Sequence, residues 1–289
     1  MRSKTVTLPF IVSLVLFPLL FGLVFSLGGS APAENLTLGL FAATVVVELL
    51  ALSQAISARK LFSPSDSGRL TWSLISAFLI VRLLAEARLT TMNFELVPRY
   101  SEDISGGLFF YLIVLRYLYT ASDLLFIGAL VTTIRAYKST GLKFKLMAID
   151  WVYIAIIWLM PLVTYLFRAN LIYSSVGVDN YIAVYRLVAV SVGALIASLC
   201  LVVRRYVVQM GGGAVARVWG AVVTAGIVRA ASFLVLALFT GWSKVSAGFA
   251  EQYLLWIFAS CWLIAALYQR EVIPRVGEAE LAPATSAVR

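Results

Sequence analysis

The chain reads as all-α, a polytopic transmembrane helical bundle of eight spans, on three observations. Its 289 residues are 62% hydrophobic and 13% charged, with a mean hydropathy of +0.95. Soluble domains are about half apolar and about one quarter charged. The apolar residues also fall into runs long enough to cross a bilayer. Finally, Lys and Arg gather in alternate connections between those runs, the pattern that orients membrane helices.

The first run, residues 8–27, carries no charge and contains Pro18. It follows a short basic start with Arg2 and Lys4 and precedes Gly28-Gly29-Ser30-Ala31-Pro32-Ala33. Residues 1–33 therefore read in two ways, as a first transmembrane helix or as a signal peptide with an Ala-x-Ala cleavage site. The run exceeds the usual signal-peptide core of about 7–15 residues, which favours the retained helix. Cleavage would leave seven spans starting after Ala33. The remaining spans are expected at 38–57, 70–89, 108–134, 146–167, 181–203, 218–240 and 251–268. Together residues 34–270 form a seven-helix bundle, and 271–289 form a polar, disordered tail. Asn35-Leu36-Thr37 fits a glycosylation sequon placed close to the membrane. Pro161 should kink the fifth span.

Loop charge sets the orientation. The N-terminus, the loops after spans two, four and six, and the tail hold most of the Lys and Arg. The positive-inside rule then places the C-terminus in the cytoplasm, and the N-terminus too if the first span is retained. Tyr100, Tyr111, Trp151, Tyr173, Tyr181, Trp242 and Trp256 fall near span ends, as an interfacial aromatic belt would. The net charge of +9 sits beside apolar spans. It therefore points to anionic lipid headgroups as partners and away from nucleic acid.

The candidate site is a set of ions at membrane depth: Glu48, Arg82, Glu86, Arg116, Asp123, Arg186 and Arg229. Each costs about 2.5–3.5 kcal/mol at a helix centre unless paired or hydrated, so they are expected to turn toward one another. Arg82 and Glu86 are one helical turn apart. Arg116 and Asp123 share a face two turns apart, with Tyr119 and Thr120 between them. Thr44 lies one turn from Glu48 and Ser232 one turn from Arg229, making polar stripes. Four arginines against three carboxylates leave an excess of positive charge in this set. A guanidinium fork suits carboxylate or phosphate, so the excess points to a small anionic or lipidic ligand in an outer-facing cavity. The bland reading is that the pairs fix helix register, with Arg186 snorkelling outward.

Other features narrow the function. The chain has no His and only Cys200 and Cys261, both within apolar runs. No disulfide framework and no common zinc, haem or other cofactor site is expected. No pairing of nucleophile and base is visible, which disfavours an enzyme. Asp150 at the start of span five is expected to cap its helix. Trp158, Trp219 and Trp262 are expected in packing or at the belt. Ala221, Ala225, Gly226 and Ala230 suggest close approach of span seven to a neighbour.

Val47-Glu48-Leu49 in one span, Ile80-Val81-Arg82-Leu83-Leu84 in the next and Gly226-Ile227-Val228-Arg229 late in the chain resemble the layout of seven-helix fungal integral membrane proteins of uncharacterised function. The similarity spans roughly residues 38–270 and implies the fold, with no site residues. A more distant likeness of architecture is to fungal lipid-translocating exporters, whose central His-Glu pair does not occur here. The expected role is binding or translocation of a small molecule. A receptor-like sensor with a cytoplasmic partner and a scaffold held by ion pairs stand as alternatives.

Overall fold

The structure is a computed structural model that describes residues 3–96, 106–141, 145–174, 178–209, 213–238 and 244–272. Eight helices follow one another: α1 Ser3–Gly28, α2 Ser30–Arg59, α3 Ser67–Leu96, α4 Gly106–Ser139, α5 Ala148–Ser174, α6 Val178–Gln209, α7 Gly213–Leu238 and α8 Lys244–Val272. All eight are long and apolar enough to span a membrane. The protein is a multi-pass membrane protein. Helices are the open-chain solution to lipid, because each satisfies its backbone hydrogen bonds within itself.

Six helices close a ring in the order α2, α3, α4, α6, α7, α8 and back to α2. Every ring helix contributes to one apolar core. Helix α5 lies outside the ring on α6 and touches α7, while α1 lies outside on α2 and α8. Sequence reflects this division. Helix α1 exposes Val15, Leu19 and Leu23, and α5 exposes Val152, Leu159 and Leu166, as lipid-facing surfaces require. Helix α8 is the most enclosed, with an unbroken buried stretch from Phe258 to Leu267.

Connections follow local chemistry. Gly29 alone joins α1 to α2, with φ at +77°, a conformation that glycine adopts without strain. Its N–H donates to the Phe25 carbonyl at 3.1 Å and closes α1. Helix α2 thus starts eight residues before the expected span, and the Asn35-Leu36-Thr37 sequon is helical. The Thr37 hydroxyl donates back to the Ala33 carbonyl at 2.9 Å. Asp66 caps α3 by accepting the Gly68 N–H at 2.7 Å. Asp150 sits in the first turn of α5 and accepts the Met147 N–H at 2.8 Å, the backward reach of a capping box. Its other oxygen accepts from Arg205 Nε at 2.8 Å and ties α5 to α6. The expected capping role is there, with an interhelical pair added.

Proline explains how α1 docks. Pro18 has no N–H, so the Leu14 carbonyl one turn earlier loses its helical partner. The Tyr253 hydroxyl of α8 donates to that carbonyl at 2.6 Å. One turn further on α8, Trp256 Nε1 donates to Ser13 Oγ at 2.9 Å. Trp256 is therefore an interhelical donor and not part of the expected belt, whereas Trp151 and Tyr173 are largely exposed. Tyr100, Trp242 and the side chains of Tyr111 and Tyr181 lie outside the described residues.

The ring is filled. Phe78, Phe126, Phe258 and Trp262 form an aromatic layer across its middle, with centroid separations of 5.3 Å for Phe78–Phe126 and 4.9 Å for Phe126–Trp262. Trp262 is a core residue, as the packing expectation had it. Gly226 lets α7 approach α6: a Cβ there would stand 2.5 Å from Cys200 Sγ. One of the small residues singled out in span seven is thus at a tight contact.

Candidate functional site

The ions expected to meet do so on the expected outer side of the aromatic layer, in two tiers. The deeper tier holds three ion pairs, two of them on Arg82. Arg82 Nε donates to Glu48 Oε1 at 2.7 Å, and Arg82 Nη2 donates to Glu86 Oε1 at 3.1 Å. Arg229 grips Asp123 with both ends of its fork, Nε to Oδ1 and Nη2 to Oδ2, each at 3.1 Å. These pairs join α2 to α3 and α4 to α7, and all five side chains are buried. In hydrocarbon an ion needs an opposite charge with matched geometry, and a planar guanidinium accepts two acidic partners at once.

Tyr119 links the pairs. Both the Arg82 and the Arg229 guanidinium carbons lie 5.8 Å from its ring centroid. Its hydroxyl lies beside the Glu86 carboxylate. Phe258 supports Arg82 from the aromatic layer, with its centroid 4.7 Å from the guanidinium carbon. A cation over an aromatic face gains attraction where water is excluded.

The shallower tier holds Arg116 and Arg186, both partly exposed. The Arg116 guanidinium carbon lies 5.0 Å from the centroid of Tyr185 on α6. Glu251 of α8 shares the electrostatic field of Arg82, Arg186 and Arg229. The sequence reading left Glu251 out because it placed that residue at the membrane edge. Helix α8 begins at Lys244, so Glu251 is about two turns inside it. Its spacing from Phe258 and Trp262, two and three turns on, was the available signal: all three share one helix face.

This acid corrects the charge argument. With Glu251 the network has four arginines and four carboxylates: Arg82, Arg116, Arg186 and Arg229 against Glu48, Glu86, Asp123 and Glu251. The excess of positive charge disappears. Thr44 and Ser232 of the polar stripes are buried, and their hydroxyls bond within their own helices. Thr44 donates to the Leu40 carbonyl at 2.8 Å, Thr120 to the Arg116 carbonyl at 2.9 Å and Ser232 to the Arg229 carbonyl at 2.8 Å. These hydroxyls satisfy their own helices, and the charged groups pair across helices. Buried hydroxyls at such positions have a carbonyl one turn back within reach, which outcompetes a more distant ion.

Hydrogen-bonding capacity is left over in the deeper tier. Glu48 Oε2 and Arg82 Nη1 are buried and have no hydrogen-bond partner among the described residues. Native proteins rarely bury such atoms unserved, because each forfeits about 1–3 kcal/mol, more when charged. The remaining atom of a carboxylate and the remaining nitrogen of a guanidinium together form a donor and acceptor pair.

A hollow lies at the other end of the ring, away from the charge network. A cleft of about 240 Å³ opens where the α2–α3 loop meets the last turns of α4 and α8 and the first turns of α7. It lies two turns beyond Phe78, on the side that loop charge assigns to the cytoplasm. Thr71 and Thr133 line it and share a hydrogen bond at 3.3 Å. Arg88, expected to snorkel at the outer interface, has no described side chain. The chain matches no family model, no curated protein and no solved structure.

Proposed function

We propose that this multi-pass protein binds a small molecule bearing a charged group, an organic acid or a lipid headgroup, at the outer-side charge network and carries it through the ring. The reading rests on one observation above others: Glu48 Oε2 and Arg82 Nη1 are buried within paired ions and have unspent bonding capacity among the described residues. A ligand group or a water would use that capacity. Arg116, Arg186 and Glu251 are partly exposed and sit between this pair and the outer ends of α4, α6 and α8, which makes them a route of access. An incoming carboxylate or phosphate that replaces one acid on an arginine leaves that acid buried and unpaired, so its binding there requires the displaced carboxylate to take up a proton.

A scaffold role is the second reading, and the two-pronged Arg229–Asp123 grip favours it. Such a pair can serve helix register alone. Side-specific labelling separates the readings. Cys200 and Cys261 are replaced by Ser, Thr120 on α4 is replaced by Cys, and the protein is placed in vesicles. A membrane-impermeant thiol reagent is then added to either face. A translocator exposes position 120 to both faces in turn and reacts from each. Reaction from the outer face alone identifies a receptor-like sensor. Reaction from neither face, in protein that remains folded, identifies the scaffold and ends the proposal.

A further inference from the structure

The cleft at the inner end of the ring is separate from the charge network, and its chemistry differs. Four aromatic side chains line it: Phe62 of the α2–α3 loop, Trp72 of α3, Tyr137 of α4 and Trp219 of α7. One formal charge occurs among its lining residues, the carboxylate of Asp66. No Lys or Arg lines it, although the loops around its mouth are basic. Gln269 of α8 also lines it and is 8% exposed. Asp66 forms no ion pair among the described residues, and the Gly68 N–H occupies Oδ1 at 2.7 Å.

Several aromatic residues with one acid are the elements with which proteins hold an organic ammonium group. The aromatic faces attract the cation and the acid balances its charge. A metal ion or a lysine side chain would gain less here, since its strong hydration is not replaced by rings. We propose that this cleft is a binding site for an organic ammonium group, of the kind carried by a free quaternary amine or by a choline-type lipid headgroup. The site does not depend on the charge network or on translocation. Its closeness to the membrane surface makes both sources accessible, and the discrimination against inorganic cations comes from the rings, which do not replace a strong hydration shell.

The test uses the full chain in nanodiscs with tetramethylammonium chloride as the probe and sodium chloride at equal ionic strength as the control. Trp72 and Trp219 report occupancy through intrinsic fluorescence. The expected result is a saturable change with tetramethylammonium that sodium does not produce. Asp66→Asn keeps the side-chain oxygen that accepts from Gly68 and therefore the α3 cap, so the variant should fold. It should bind the probe about tenfold more weakly, the order of effect of losing a charge at an aromatic cage. Gln269→Ala should weaken binding as well. Competition by phosphatidylcholine nanodiscs, absent with phosphatidylglycerol, supports the site with a lipid headgroup as its source. Equal binding in both lipids supports it with a free amine as its source. A wild-type signal that does not saturate, or one that Asp66→Asn leaves unchanged, overturns the proposal.

Discussion

At the residue scale the deeper tier shows how ions persist in hydrocarbon. Arg229 and Asp123 meet through two parallel bonds and share the ring of Tyr119. Removing one partner leaves the other charged and buried. Arg229→Met or Asp123→Leu alone should each destabilise the protein by about 3–5 kcal/mol, and the double substitution should cost clearly less than their sum. Equilibrium unfolding of the purified variants in mixed micelles measures this. Additive costs would mean that the two side chains do not interact in the folded protein. Only part of this chemistry was legible from sequence. Arg82 and Glu86 were visible as a pair because one helical turn fixes their separation. The Glu48–Arg82 and Asp123–Arg229 pairings join different helices, and partner choice there is set by which helices pack. Nothing local in either segment encodes it. Glu251 was missed for a related reason: a hydropathy boundary marks where lipid contact ends, not where a helix begins.

At the element scale the spans themselves were plain, since eight apolar runs admit few other readings. Their ends were not, because helices project past the hydrocarbon into turns that hydropathy does not register. Two contacts turn local sequence rules into packing. The first is Pro18, whose missing N–H leaves the Leu14 carbonyl to Tyr253. Tyr253→Phe should cost about 0.5–1.5 kcal/mol in the native sequence. In a Pro18→Ala background the helix can supply its own donor, so the same substitution should cost less. Thermal unfolding of the four proteins gives the coupling, and an equal cost in both backgrounds would refute the argument. The second contact is Gly226 against Cys200. Gly226→Ala should destabilise by about 1–3 kcal/mol through overpacking, and Cys200→Ala should restore most of that by removing the sulfur. Failure of the rescue would locate the clash elsewhere.

At the scale of the whole molecule, six helices form a filled cylinder with ions in one half, aromatic rings across the middle and a cleft at the far end. That layering could not be read from the chain, because it depends on helices far apart in sequence reaching the same depth. The positive-inside rule predicts that the ion-rich half faces the outer side. A reporter fused after Arg289 should therefore be active only on the cytoplasmic side, and activity on the opposite side would invert the assignment of both sites. The ring also imposes an order on biogenesis. Helix α2 closes against α8, and α1 anchors to α8 through a bond between residues 239 positions apart. Helices α1 and α2 must wait at the insertion site, or in lipid beside it, until α8 has left the ribosome. Glu48 enters the bilayer in that interval ahead of Arg82, so a chaperone, water or a temporary proton must shelter it until α3 arrives.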